Sequence, residues 1–251
     1  MFTRAARLLP RRYSARRRSG ATVDGVIGDQ PALRYLPIVE LATQQLHGFE
    51  LVDTGSLDRG LEASIRVAAA WRTASREGPT VLIDVAHDEL RADLPALIDA
   101  LLDAYRLPAE ALTIRVASYS SDLPVPALDR LVERGVTIAV REPDLRGAEL
   151  GLLAGAPIDW IELPAALVDR CDRDADARLR LAARIGVAHA HDWLTLARGL
   201  DRLGQVDALM QLGCDLASGP AVGPLLDRRD ADRVVARYFP QPIARSRQLA
   251  S

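Results

Sequence analysis

Short runs of apolar, β-branched residues recur along this chain, and amphipathic stretches lie between them. The runs fall at 33–41, 46–52, 80–86, 111–119, 136–140, 158–163, 194–199 and 214–219, and their length and composition predict strands. Apolar residues at helical spacing predict helices over 57–78, 94–107, 125–135, 146–155, 174–193 and 205–213. Gly135 and Gly213 stand where two of these helices should end, as expected for left-handed caps. Strand and helix therefore alternate about eight times. The strands read as continuous apolar runs, the pattern of a parallel sheet buried on both faces. In one domain of this size, that pattern favours a closed (β/α)8 TIM-like barrel of the α/β class over an open doubly wound sheet. A Gly-rich strand-to-helix turn or phosphate loop, which the open fold would use to hold a nucleotide, does not occur.

Composition adds limits. The chain has 251 residues, 49% of them hydrophobic but only 4% aromatic, so the core must be built from Ala, Val, Leu and Ile. All 32 basic residues are Arg. Seven of them lie in residues 1–18, which hold no acid; removing those seven charges from the whole-chain −2 leaves −9 for residues 19–251. Residues 1–30 are therefore expected to form a disordered Arg-rich tail that binds acidic surfaces weakly and nonspecifically. The same composition is shared by transit peptides, which are also Arg-rich and acid-poor. The barrel is expected over 31–238 and a flexible tail over 239–251. Cys171 and Cys214 sit in no metal or redox spacing, which suits a reducing, cytoplasmic compartment. No apolar run approaches the length of a membrane span.

The stretch HGFELV, residues 47–52, places a carboxylate, Glu50, inside an apparently buried strand. A charge there is expensive unless it is paired or bound to a cation. In a barrel of this type the C-terminal strand ends are where chemistry sits, so its partners should be sought there.

Here RYLPIVELATQQLHGFELV resembles the opening of the EAL domain, the bacterial phosphodiesterase domain that cleaves cyclic di-GMP. VLIDVA, LTIRVA, LVERGVTIAV, PIDWIEL, LTLARGLD and LGCDLASGPAVGPLL follow in that family's order, so the resemblance covers about residues 33–226. It implies a modified (β/α)8 barrel and a site in which carboxylates and an Asn hold two Mg or Mn ions while a Lys assists the attacking water. Carried over by position, only the Glu of E-A-L survives intact, as Glu50. Asp84 replaces the Asn. Arg115 and Ser118 replace the two Glu of E-x-T-E. Arg141 and Glu142 stand where the family has two Asp, with Pro143 and Asp144 after them. Glu162 replaces the Lys and Pro164 its following Asp. Arg198 and Asp201 take the two Glu of A-E-G-V-E, and Ser218 takes the Gln of Q-G-Y.

Arg has no lone pair to offer a metal and keeps its charge at any relevant pH. Arg115, Arg141 and Arg198 would repel two dications, so the resemblance implies a lost Mg/Mn site, no cofactor and a pseudoenzyme. Two readings of the retained acids remain open. In one, Glu50, Asp84, Glu142, Glu162 and Asp201 pair with the three Arg. In the other they are remnants of drift. The family's nucleotide-recognition groups are also replaced, by Leu36, Thr54 and Ser218. Cyclic di-GMP sensing without hydrolysis is therefore the alternative, and active hydrolysis the least favoured reading. The expectation is a signalling or regulatory module that docks to a partner protein, another copy of the chain included. The HAHD cluster (His189, His191, Asp192) looks metal-like, but residues two apart on a helix diverge. His87 lies beyond a strand end. GPAVGP, residues 219–224, has prolines where a phosphate loop needs amide donors.

Overall fold

The computed structural model describes residues 33–52, 56–74, 78–116, 125–141 and 155–239. Eight strands close into a barrel in chain order: β1 (Arg34–Glu40), β2 (Leu46–Val52), β3 (Thr80–Val85), β4 (Leu112–Val116), β5 (Thr137–Arg141), β6 (Trp160–Glu162), β7 (Leu194–Ala197) and β8 (Leu216–Ser218). Helices α1 (Leu57–Ala74), α2 (Leu94–Tyr105), α3 (Val125–Arg134), α4 (Ala165–Val168), α5 (Ala175–Ala190), α6 (Leu203–Leu212) and α7 (Arg228–Tyr238) lie in sequence with them. The expected single-domain α/β barrel is therefore present.

The uniformly parallel sheet needs a correction. β1 is antiparallel to both of its neighbours, β2 and β8, while every other pairing is parallel. Residues 41–45 are too few for a crossover, so the chain can only fold back. Gln44 takes a positive φ of 59° to make the turn. Two helices escaped the sequence reading: the one-turn α4, and α7, which Asp227 caps by accepting from the Asp230 amide at 2.9 Å. The eighth strand is shorter than its apolar run: the Asp215 amide donates to the Thr195 hydroxyl at 3.1 Å, and its carboxylate accepts from the Thr195 amide and hydroxyl at 2.8 and 2.7 Å. The helix expected over 146–155 and the end of the strand expected to reach 119 fall mostly outside the described residues, as do both expected tails. Gly135 and Gly213 have φ of 95° and 78°, the left-handed caps that their positions suggested.

Every strand buries two faces. Outward residues such as Phe49, Ile83, Ile114, Val140 and Ile161 pack with the helices, and Val39, Ala197 and Ala217 do so on the α4–α6 side. Inward residues Ile38, Leu82, Ala139, Trp160, Leu196 and Leu216 fill the lumen. Side chains alternate along a strand, so two residues past this apolar layer the same face presents Asp84, Arg141, Glu162, Arg198 and Ser218. Gly48 leads in the same way to Glu50, and Thr113 to Arg115. A filled lumen thus ends in a polar layer at the C-terminal mouth.

At the other end a β-bulge between Ile38 and Val39 leaves His47 without a register partner. Its ring meets Trp160 edge-on at 5.1 Å, and Nδ1 lies 3.5 Å from Glu40 Oε1. Next to it, Gly48 lies so close to Thr80 that a Cβ would overlap the Thr80 carbonyl. On the outside, Tyr35, Phe49 and Trp71 form an aromatic cluster, and α7 is tied to it by Trp71 Nε1 donating to Asp232 Oδ1 at 2.7 Å.

Gly48→Ala should lower stability by about 1–3 kcal/mol, the range for overpacking a filled core; urea unfolding measures it. Burial holds the His47 imidazole below its ordinary pKa against the opposing pull of Glu40. Between that lowered value and the unfolded value of about 6.5 the unfolded chain binds more protons. This stabilisation is complete above about pH 6.5 and is lost as pH falls through the folded value. Melting temperatures of the wild type should therefore fall more steeply from pH 7.5 to 5 than those of His47→Gln. Parallel curves would refute the assignment.

Candidate functional site

The mouth is organised around Arg115. β4 carries it on its inward face, and its side chain is 0% exposed. Nε and Nη2 grip Asp84 Oδ1 and Oδ2 at 2.5 and 2.6 Å; Asp84 sits beside it in register on β3. Nη2 also donates to Glu50 Oε1 on β2, and Nη1 to Glu162 Oε2 on β6, both at 2.9 Å. One guanidinium therefore joins three carboxylates from three strands. Burial alone would push the Arg115 pKa down. The Asp84 hydrogen bonds, with the charges of Glu50, Glu162 and Asp84, outweigh that and hold it above the usual arginine range.

Arg198 directly follows β7 and covers the same carboxylates from the solvent side. Its Nε donates to Glu50 Oε2 at 2.9 Å and its Nη2 to Glu50 Oε1, while Nη1 lies 3.5 Å from Glu162 Oε1. Arg141 ends β5, in register with Glu162, and its Nε also lies 3.5 Å from Glu162 Oε1. That Nε is buried yet has no hydrogen-bond partner among the described residues, so its contact with Glu162 is Coulombic only. Exposure is graded: Glu50 and Glu162 are nearly sealed at 2% and 7%, whereas Arg198, Arg141 and Asp84 reach solvent at 26%, 43% and 53%.

The structure thus brings together six of the nine sequence-selected positions: Glu50, Asp84, Arg115, Arg141, Glu162 and Arg198. Asp201 must be corrected. It is exposed and pairs with Arg202 Nη1 at 2.9 Å rather than with the mouth arginines. After β7 the chain turns at Gly199, whose φ is 76°, and Leu200 is anchored by donating to Ser218 O at 3.2 Å. Position 201 is thereby carried towards α6, where Arg202 also grips Asp172. Ser218 is buried on β8 with an unpartnered hydroxyl. Glu142, Ser118, Pro143, Asp144 and Thr54 lie outside the described residues. Leu36 lies opposite Glu50 on β1, and Pro164 starts α4.

The two residues of the HAHD pair diverge: His189 Nε2 meets Asp215 Oδ2 at 2.9 Å, while the His191 ring stacks on Trp193 at 4.7 Å. His87 is exposed in a 3-10 turn after β3. Sequence reasoning overlooked the His47–Trp160 contact on the barrel floor. Its one signal was an imidazole directly preceding a buried Gly in a strand whose other residues, Glu50 apart, are apolar.

A divalent cation does not fit this donor set. Both oxygens of Glu50 and of Asp84 already accept from guanidinium N–H groups, and Glu162 is contacted by all three arginines. An ion would have to displace Arg115, which cannot lose its charge. Among the described residues, no group of three or more His, Cys, Asp or Glu is arranged to hold a metal.

A family model described as EAL domain matches residues 57–224. Among solved structures, the chain is similar to the EAL domain of Mycobacterium smegmatis DcpA, with a TM-score of 0.75 and 20% identity over 85% of this chain and 99% of that one. It is also similar to the Xanthomonas citri FimX EAL domain in complex with c-diGMP, with a TM-score of 0.67 and 14% identity over 78% of this chain and 87% of that one. An uncharacterized protein of Azorhizobium caulinodans is 22% identical over 75% of this chain, and the match spans only 30% of that protein's length.

Arg115→Met alone should destabilise the fold by about 3–5 kcal/mol, because it leaves buried carboxylates without a counter-charge. Adding Glu50→Gln and Glu162→Gln should recover much of that loss. Chemical denaturation of the single and triple variants checks both outcomes.

Proposed function

The chain belongs to the EAL domain family, and on that premise we propose that it is a non-hydrolytic member acting as a regulatory module that docks to a partner protein. The observation that carries this reading is the Arg115 guanidinium bound to Glu50, Asp84 and Glu162 at once. In this family the mouth works by holding divalent cations that activate water and brace a phosphodiester. Here guanidinium groups neutralise the carboxylates instead. Glu162 stands where the family's water-assisting Lys is expected, and as an anion bonded to Arg115 it is committed to charge balance. Among the described residues the mouth therefore offers neither a cation seat nor a free base.

Retention of the fold supports selection for a surface. The lumen is filled with apolar side chains and the left-handed caps at Gly135 and Gly213 are in place. Decay without selection would also strike core positions, where most substitutions destabilise a marginal fold. The outer helices are one such surface. α3 buries Ala127, Leu128 and Leu131, and its Arg134 is braced by Asp99 and Asp103 of α2 at 3.0 and 2.6 Å. Among the described residues no helix is long and apolar enough to cross a membrane.

The purified chain should not turn over cyclic di-GMP with Mg or Mn present. Turnover above a no-enzyme control that vanishes in Glu50→Ala would overturn the proposal. Neither metal nor EDTA should move the melting temperature, since a ligand that binds only the folded state would raise it.

A further inference from the structure

The three mouth arginines are not equally satisfied. Arg115 is saturated by carboxylates, and Arg198 spends Nε and Nη2 on Glu50. Arg141 stands apart: it is 43% exposed, its Nε is buried without a hydrogen-bond partner among the described residues, and the rest of its guanidinium is what faces solvent. Arg141 Nε and Arg198 Nη1 both lie 3.5 Å from the same atom, Glu162 Oε1. They are thus at most twice that distance apart, within reach of a single small oxyanion. Charge is also graded with depth. Glu50 and Glu162 lie beneath, nearly sealed, while the Arg141 and Arg198 guanidiniums and the Asp84 carboxylate form the solvent side, two cations to one anion.

The geometry points to Arg141 and Arg198 forming a receptor for a carboxylate presented by an acidic segment of the docking partner. A planar carboxylate matches the solvent-facing fork of a guanidinium. A monoanion also suits the site better than a dianion, because two buried carboxylates lie directly below. This assignment rests on the reading of the barrel as a non-hydrolytic docking module and names the chemistry that the mouth would recognise.

The test uses the full chain labelled with nitrogen-15, following the arginine Nε–H resonances. Arg141→Gln identifies the Arg141 signal and Arg198→Gln the Arg198 signal. A capped Asp- and Glu-rich peptide and acetate are titrated in, with inorganic phosphate and cyclic di-GMP as comparisons. Peptide and acetate should both move the Arg141 and Arg198 signals, the peptide at lower concentration. Arg141→Gln should weaken peptide binding about tenfold, the loss of roughly one charge-assisted bond. Arg141→Lys, which keeps the charge and loses the fork, should fall between, and it serves as the reporter should the Gln variant not fold. A peptide that leaves the Arg141 signal unmoved, or a response to cyclic di-GMP alone, would overturn the inference. Hydrolysis measured on the same sample reads the parent proposal separately, since turnover would sink that reading whatever the peptide does.

Discussion

The structure of the mouth depends on one ion cluster, the Arg115 guanidinium held by Glu50, Asp84 and Glu162. Each of these residues comes from a different strand, so the cluster ties β2, β3, β4 and β6 together across the lumen. Isolated, any one of the sealed charges would be strongly unfavourable in the barrel. Together their geometry supplies Arg115 with an acceptor at each of its three nitrogens. Arg198 and Arg141 complete the charge balance from above, so three cations face three anions. A cluster of this kind need not add net stability over an apolar filling. It does make every member dependent on the others.

That dependence shapes what the mouth can do. A family architecture that gathers carboxylates at strand ends normally sets up a site for divalent cations. Here the cationic role falls to side chains fixed to the backbone, which cannot exchange with solvent ions. What remains accessible is the outer rim, where Arg141 and Arg198 reach solvent. On the proposed reading the barrel is left with recognition, and the filled layer of Ile38, Leu82, Ala139, Trp160, Leu196 and Leu216 gives it a rigid base.

Glu50 illustrates how far the sequence reaches. A carboxylate between Phe49 and Leu51 announces a buried charge, and the replacement of ligand positions by Arg identifies its partners by chemical type. Position alone could not assign the pairs. Asp201 looked equivalent to Glu162, yet the turn at Gly199 and the competing Arg202 remove it from the mouth. Arg141 looked equivalent to Arg198, yet its Nε makes no hydrogen bond, while Arg198 grips Glu50 with two nitrogens. Such distinctions rest on small differences in distance, 2.9 Å for Arg198 Nε against 3.5 Å for Arg141 Nε, and on side-chain direction, which residue identity does not encode locally.

The sequence by itself determined the alternation of strand and helix, the closed α/β barrel, the helix caps at Gly135 and Gly213, and the character of the mouth as one of arginines facing acids. The first three follow from periodicity and turn chemistry, which are local properties of the chain; the last came from the resemblance to the EAL motifs, and whether its acids and arginines pair stayed open. Only the tertiary structure decided that β1 runs backwards, that α7 is pinned through Trp71 and Asp232, that His47 meets Trp160 on the floor, and which acid meets which arginine. Each of these depends on residues distant in sequence meeting after the barrel closes. The register between neighbouring strands sets the height of every inward side chain, and a shift of one residue would turn Arg115 out of the lumen altogether.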